Sequence, residues 1–293
     1  MSTTAKSVLL DGKTLAATRL EQVKQQLTNL KPSGHPPKLV VLLVGDDPAS
    51  QVYVGKKAKT AQEIGMAGEV KTFSATVEEN ELRRELLRLN ADESVHAILV
   101  QLPLPKHLDT LSILSLISPE KDVDGLHPVN LGRLLTGQKP FATPCTPTGI
   151  MTMLKHYEIP ISGQHAVIVG RSTIVGKPMG LLLLAESATV SYCHSKTQNL
   201  REMTRSADIL IAAAGVPRLI TGEDVSKNTV VIDVGINRLP DTDPIKPGKL
   251  CGDVDFESVA PLASHITPVP GGVGPMTIAT LMENTLGLYQ LSV

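Results

Sequence analysis

The order of apolar and polar residues along the chain follows two alternating rhythms. Lys38-Leu-Val-Val-Leu-Leu-Val44 is a continuous apolar, β-branched run, the pattern of a strand covered on both faces. A periodic helix over 15–30 precedes it and is closed by Pro32, Gly34, Pro36 and Pro37. The next helix runs over about 50–64 and stops at Gly65. Thr76 and Glu79 form a capping-box pattern that opens another helix, with Leu82, Leu86 and Leu89 on its apolar side. Val95-His-Ala-Ile-Leu-Val-Gln101 reads as a strand that runs into Leu-Pro-Leu-Pro105.

After a stretch rich in Pro, Gly and Thr (141–149), the same rhythm restarts. Segments 165–170, 188–193, 208–213 and 229–235 read as strands, with helical stretches between most of them. Such alternation calls for mostly parallel sheets and an α/β fold. The boundary between two domains is placed near Thr148. The apolar, helix-like tail over 278–291 follows a second domain that is already closed, so it is free to pack back on the first.

Composition narrows the function. The 293 residues suffice for two cores. A net charge of -1 gives no electrostatic footprint for nucleic acid or an anionic membrane. Aromatics at 2% leave little for stacking on bases. Cys145, Cys193 and Cys251 are few, odd in number and lack a CxxC spacing, which fits a reducing cytoplasm and argues against a disulfide framework or a metal site. The first residues lack the apolar region of a signal peptide, and no apolar run reaches the ~20 residues that span a bilayer.

Three features carry chemistry. Thr267-Pro-Val-Pro-Gly-Gly-Val-Gly-Pro-Met-Thr277 packs three glycines and three prolines directly before the tail helix. Glycine lets a ligand approach the backbone, and a helix start offers N–H donors and a positive dipole end. Gly170-Arg-Ser-Thr-Ile-Val-Gly176 follows an apolar strand and precedes a helix-like segment, the place of a dinucleotide-binding turn, although Ser172 stands where a GxGxxG has its second glycine. The following strand ends in Cys193-His-Ser-Lys-Thr197, with no carboxylate for a ribose 2′-hydroxyl. Arg171, Ser195 and Lys196 suit a 2′-phosphate instead, which points to NADP over NAD. Finally, Tyr53 and Lys57 are four apart on one helix face, Gln101 closes a buried strand, and Asp122-Val-Asp-Gly125 offers carboxylates from a loop. A lysine works as acid or base near neutrality only when burial lowers its pKa.

Together these pieces resemble the bifunctional methylenetetrahydrofolate dehydrogenase/methenyltetrahydrofolate cyclohydrolase family of the bacterial FolD type. The likeness runs over nearly the whole chain, in order. It covers Ala49-Ser-Gln-Val-Tyr-Val-Gly-Lys-Lys57, Val100-Gln-Leu-Pro-Leu-Pro105, Lys121-Asp-Val-Asp-Gly-Leu-His-Pro128 and Pro144-Cys-Thr-Pro-Thr-Gly149. It continues through Gly170-Arg-Ser-Thr-Ile-Val-Gly-Lys-Pro178, Cys193-His-Ser195 and Pro270-Gly-Gly-Val-Gly-Pro-Met-Thr277.

The resemblance implies two α/β domains flanking a cleft: a folate-binding catalytic domain (1–147 plus 277–293) and a Rossmann-like NADP-binding domain (148–276). It implies oxidation of 5,10-methylenetetrahydrofolate with NADP, then hydrolysis to 10-formyltetrahydrofolate, in one-carbon metabolism. Lys57 would be the acid/base group, oriented by Gln101; Tyr53 would stack on or bond to the folate, and Asp124 would accept from the pterin's amino edge. Gly170, Arg171, Ser172, Ser195 and Ile236 would bind NADP, and Pro270, Gly271 and Gly272 would close on the substrate. A cytoplasmic homodimer is implied as well, with no metal. Three competing readings are weaker. A dehydrogenase without cyclohydrolase activity is disfavoured by the presence of Lys57 and Gln101. A short-chain dehydrogenase carries its Tyr-x-x-x-Lys after the glycine-rich turn, whereas here Tyr53 and Lys57 precede Gly170. A non-catalytic folate- or NADP-binding protein has no use for the complete set Tyr53, Lys57, Gln101 and Asp124.

Overall fold

A computed structural model of the chain describes residues 7–30, 35–242 and 248–292. In chain order the elements begin with β1 (Val8–Leu9), α1 (Gly12–Asn29), β2 (Lys38–Val44), α2 (Pro48–Glu63), β3 (Ala67–Phe73), α3 (Glu79–Ala91) and β4 (Ala97–Val100). Next come α4 (Thr110–Leu114), α5 (Pro128–Leu135), α6 (Cys145–His156), β5 (His165–Val169), α7 (Gly176–Ala185), β6 (Thr189–Cys193), α8 (Leu200–Arg205) and β7 (Ile209–Ala212). The last are β8 (Val230–Asp233), β9 (Asn237–Arg238), β10 (Leu250–Cys251), α9 (Phe256–Val259), β11 (His265–Ile266) and α10 (Val273–Ser292). Pro32 and Gly34, read as closing α1, lie outside the described residues.

The described residues form two compact units, one from the stretches 17–145 and 278–292, the other from 7–16 and 146–277. The first is built on a parallel sheet in the order β3-β2-β4. Strand β2 shows why the apolar run is continuous. Alternate side chains point to opposite faces, and both faces are covered. Leu39, Val41 and Leu43 join a core with Val23 of α1, Val54 and Ala61 of α2, and Ile278, Leu281, Met282 and Leu286 of α10. Val40, Leu42 and Val44 join the opposite core with Leu82, Leu86 and Leu89 of α3. The tail helix thus supplies part of a core whose strands lie far earlier in the sequence.

The second unit holds a six-stranded, wholly parallel sheet in the order β1-β11-β8-β7-β5-β6. The chain moves from β5 through α7 to β6 on one side, then returns through α8 to β7 on the other side of β5. Strand order therefore reverses between β5 and β7, and the crevice at their carboxyl ends is where such sheets hold ligands. Residues 8–9 belong to this sheet because Val8 and Leu9 pair with His265 and Ile266, although the sequence pattern groups the N-terminus with the first domain.

Several local expectations are corrected. The capping box predicted from Thr76 and Glu79 does not form. The Thr76 N–H donates to the Ser74 hydroxyl at 3.2 Å, and Val77 N–H closes on Ser74 O at 3.0 Å. This turn delays the helix, so Glu78 becomes the N-cap and has no side-chain capping bond. Strand β3 was absent from the pattern because its residues are only partly covered and alternate with charges, Glu69 and Lys71 among them. Helix α6, which the sequence pattern does not mark, begins inside the Pro/Gly/Thr-rich stretch at Cys145, with Pro147 in its first turn. Helix α10 likewise begins at Val273, inside the Pro-Gly run, with Pro275 in its first turn. A first-turn proline lacks only an N–H that would have no helical acceptor.

Candidate active site

In the unit built on β2, α2 brings Tyr53 and Lys57 to one face, one turn apart. Asp47 opens this helix by accepting the Ser50 N–H at 2.8 Å, and Pro48 stands in its first turn. Lys57 is only 4% exposed. Its Nζ donates to Gln101 Oε1 at 3.0 Å and lies 4.7 Å from the centre of the Tyr53 ring. Gln101 sits just past β4, and its Nε2 donates to Leu102 O at 2.7 Å. That bond turns the amide so that its oxygen faces the lysine. Burial lowers the Lys57 pKa from the ordinary lysine value, and the charge of nearby Asp124 opposes the shift.

The Asp122–Gly125 loop has its own scaffold. Asp122 is buried and accepts from His127 N–H and from Asn130 Nδ2, both at 2.8 Å. Burial raises its pKa, against the pull of these bonds. Gly125 has φ +67°, and a Cβ there would lie 2.5 Å from the Thr143 carbonyl carbon. The turn is therefore open to glycine alone, and it fixes where Asp124 stands. Asn284 of α10 donates to Val123 O and Thr143 O at 2.9 Å each, tying the tail helix to both sides of that turn. Cys145 lies beside Asp124, and burial raises its thiol well above the ordinary range, with Asp124 adding to the shift. Asn284 and Cys145 were missed by sequence reasoning. Cysteine was weighed only for disulfides and metals, and an asparagine in an apolar tail gives no motif.

In the other unit, Gly170 directly follows β5, and its N–H donates to Cys193 O at 2.9 Å. The register Val169↔Cys193 puts Arg171 and Ser195 at the same edge of neighbouring strands. Both are exposed. A tight turn presents Ser195: His194 N–H donates to Thr197 Oγ1 at 2.8 Å, and Lys196 N–H to His194 Nδ1 at 3.1 Å. Gly170 has φ +136°, and its Cβ would stand 2.1 Å from Ala213 O; a Cβ on Gly176 would stand 2.3 Å from Gly170 O. Gly180 meets the Tyr192 hydroxyl, where a Cβ would come to 1.9 Å. Turn, backbone approach and helix–strand packing, the three jobs of a glycine fingerprint, thus fall to Gly170, Gly176 and Gly180. Ser172 does not replace a glycine here. Its hydroxyl accepts the N–H groups of Val175 (3.2 Å) and Gly176 (3.3 Å), at the start of α7. The hydroxyl proton remains a donor.

Ile236 follows β8 and is 59% exposed. Asp233 closes β8 in a buried position, where burial pushes its carboxyl up to about 7. In the Pro-Gly loop, Pro270 is exposed, Gly271 is partly exposed and Gly272 is buried. Gly271 has φ +111°, and its carbonyl accepts the Lys13 N–H at 2.9 Å. The Gly272 N–H is engaged by Pro268 O at 2.9 Å, and its carbonyl would lie 1.9 Å from a Cβ on Gly12. Gly272 therefore packs the loop, and its N–H does not add to the donors of the helix start. No group of His, Cys, Asp and Glu suited to a metal ion occurs among the described residues, and none of their helices is long and apolar enough to cross a membrane.

Two family models match the chain: the catalytic domain of tetrahydrofolate dehydrogenase/cyclohydrolase over residues 10–124, and its NAD(P)-binding domain over residues 144–293. The chain belongs to the tetrahydrofolate dehydrogenase/cyclohydrolase family. It is 54% identical over 280 residues to the bifunctional protein FolD of Exiguobacterium sibiricum, covering 96% of this chain and 98% of that one. The crystal structure of the bifunctional FolD of Campylobacter jejuni is 49% identical, with a TM-score of 0.94 over 98% of this chain and all of that one. The Trypanosoma brucei methylenetetrahydrofolate dehydrogenase-cyclohydrolase, solved with NADP and an inhibitor, is 39% identical, with a TM-score of 0.93 and 98% coverage of both chains. Within the family frame, the second model extends through the tail, whose residues 278–292 pack with the catalytic unit.

Replacing Gly125 by alanine tests the turn that sets Asp124. A left-handed φ alone costs a non-glycine residue about 1–2 kcal/mol, and the clash with the Thr143 backbone adds to it. The denaturation midpoint is expected to fall and activity on folate substrates to drop, with NADP affinity unchanged in calorimetry.

Proposed function

We propose that the protein oxidises 5,10-methylenetetrahydrofolate with NADP and hydrolyses the resulting 5,10-methenyl compound to 10-formyltetrahydrofolate. One observation carries this reading: a family member holds a lysine amine out of water, bonded to a glutamine and beside a tyrosine and a carboxylate. NADP supplies a hydride acceptor when bound. The residues present suit it. Gly170 and Gly176 clear a path for backbone approach, α7 starts at the turn, and Arg171 and Ser195 stand where a 2′-phosphate needs donors.

Lys57 is the acid/base group of the hydrolytic step. Water adds to the methenyl carbon and loses a proton to the Lys57 amine. The bond from that carbon to N5 then breaks: N5 takes the proton held by Lys57, and the added hydroxyl becomes the formyl oxygen as its own proton is released to solvent. Burial keeps this amine closer to the range in which it can exchange protons near neutrality. Gln101 holds Nζ in place through its amide oxygen. Tyr53 offers its ring to the folate, and Asp124 accepts from the amino edge of the pterin. The exposed Pro270 and Gly271 form the substrate-facing part of their loop, and Ile236 is an apolar contact for the cofactor. The protein works in one-carbon metabolism, as a cytoplasmic homodimer.

The direct assay follows absorbance with purified protein, methylenetetrahydrofolate and either NADP or NAD. Appearance of the methenyl and then the formyl compound with NADP supports the reading; folded protein with no turnover on either cofactor contradicts it. Lys57→Met is expected to remove hydrolysis, by about 10²–10⁴-fold for a general acid/base group, while NADP still binds. Arg171→Ala is expected to weaken NADP by roughly ten-fold or more, the scale of a lost charged hydrogen bond, and to leave NAD nearly unchanged. Equal losses for both cofactors would place the 2′-phosphate elsewhere.

A further inference from the structure

A second cluster of buried carboxylates lies in the six-stranded unit. Asp253 follows β10 and is 0% exposed; Asp233 ends β8 and is 3% exposed. Asp253 Oδ2 accepts the N–H groups of Ala214 at 2.6 Å and Gly215 at 2.8 Å, and its Oδ1 accepts Asn237 Nδ2 at 2.9 Å. Asp233 holds the backbone of Asp253 in turn. Its Oδ1 accepts the N–H groups of Gly235 (3.0 Å) and Asp253 (2.9 Å), and its Oδ2 accepts that of Val254 (3.0 Å). Two glycines make room: a Cβ on Gly235 would stand 2.2 Å from Asp253 Oδ1, and one on Gly252 would stand 1.7 Å from Asp233 Oδ2.

Two carboxyl groups so close together inside a protein cost stability that an apolar pair would not. Their partners indicate what this arrangement achieves. Ala214 and Gly215 form the loop after β7, and Ala213 O packs against Gly170. Asn237 directly follows Ile236, in the segment after β8. The loop after β7 borders the crevice where strand order reverses, and the segment after β8 lies next to it in the sheet. One carboxylate therefore ties both loops to each other at the carboxyl edge of the sheet.

We propose that Asp253 is a positioning residue for the cofactor: it sets the loops after β7 and β8 at the spacing the dinucleotide requires. Asp233 fixes the backbone of Asp253, and Asn237 fixes its rotation. This rests on the assignment of the crevice to NADP. Neither carboxylate need touch the cofactor, since each acts through backbone N–H groups that it orients.

The test uses Asp253→Asn and, as a milder change that leaves both carboxylates in place, Asn237→Ala. An asparagine at 253 loses the charge and keeps one acceptor oxygen of the two, so it cannot accept both from the Ala214 and Gly215 N–H groups and from Asn237 Nδ2. The KM for NADP is expected to rise about ten-fold, equivalent to ~1.4 kcal/mol, with kcat of the dehydrogenase little changed. Hydrolysis of methenyltetrahydrofolate uses no cofactor and is expected to stay at the wild-type rate. Asn237→Ala is expected to move the same parameter in the same direction by a smaller factor. A parallel fall of both activities, or an unchanged KM for NADP in the variants that fold, overturns the proposal. Calorimetric titration of NADP into wild type and variants decides the role of Asp253 even if the wild type turns over no folate, a result that would instead contradict the proposed reaction.

Discussion

Taking the Lys57 amine out of water is the constraint to which the rest of its unit is fitted. An ion removed from water costs several kcal/mol after relaxation, so the group must be compensated or its pKa must fall. Both occur here. Gln101 supplies a hydrogen bond without a charge, the Tyr53 ring supplies its π-face, and Asp124 restores part of the attraction for the proton. A carboxylate in direct contact would have held the proton too firmly for exchange. A wholly apolar site would have left no acceptor. The amide is the intermediate choice, and it is held by its own bond to Leu102 O.

Both units place chemistry at the carboxyl ends of parallel strands, for one physical reason. Strands covered on both faces have no room for polar side chains along their length, so polar groups collect where the strands stop. Gln101 follows β4, Gly170 follows β5, and Asp233 ends β8. The loops beyond them are then stiffened from outside the sheet. Asn284 reaches from the tail helix to clamp the turn that carries Asp124. Asp253 reaches from the segment after β10 to clamp the loop after β7. In each case a polar side chain, partly buried for Asn284 and buried for Asp253, orders a loop that contains a glycine.

What was legible in the sequence follows from burial. The runs at β2, β5, β7 and β8 are apolar on both faces and announce themselves. The stripe Leu82, Leu86 and Leu89 marks α3, and all three are 0% exposed. Strand β3 escapes because it is only partly covered, and the two-residue strands β1 and β11 because their pairing is long-range. The starts of α3 and α10 shift by a few residues, α3 because a local turn competes with the helix and α10 because proline enters its first turn. Tyr53, Lys57, Gln101 and Asp124 were legible as a set, and the structure brings Tyr53 and Gln101 into contact with Lys57 and places Asp124 close by. The supporting residues were not. Nothing in a linear pattern tells an asparagine or aspartate that clamps a distant loop from one that closes a turn.

The most direct test is the titration of Lys57 itself. Heteronuclear NMR of protein labelled at its lysine side chains, followed over roughly pH 6 to 11, separates this amine from the exposed lysines; a free lysine side chain inflects near ~10.4. The account expects Lys57 to lose its proton at a lower pH than the others, and the inflection to vanish in Lys57→Met. A Lys57 that titrates with the exposed lysines, or above them, would mean that the amine is not desolvated and would remove the basis for the role in hydrolysis proposed for it.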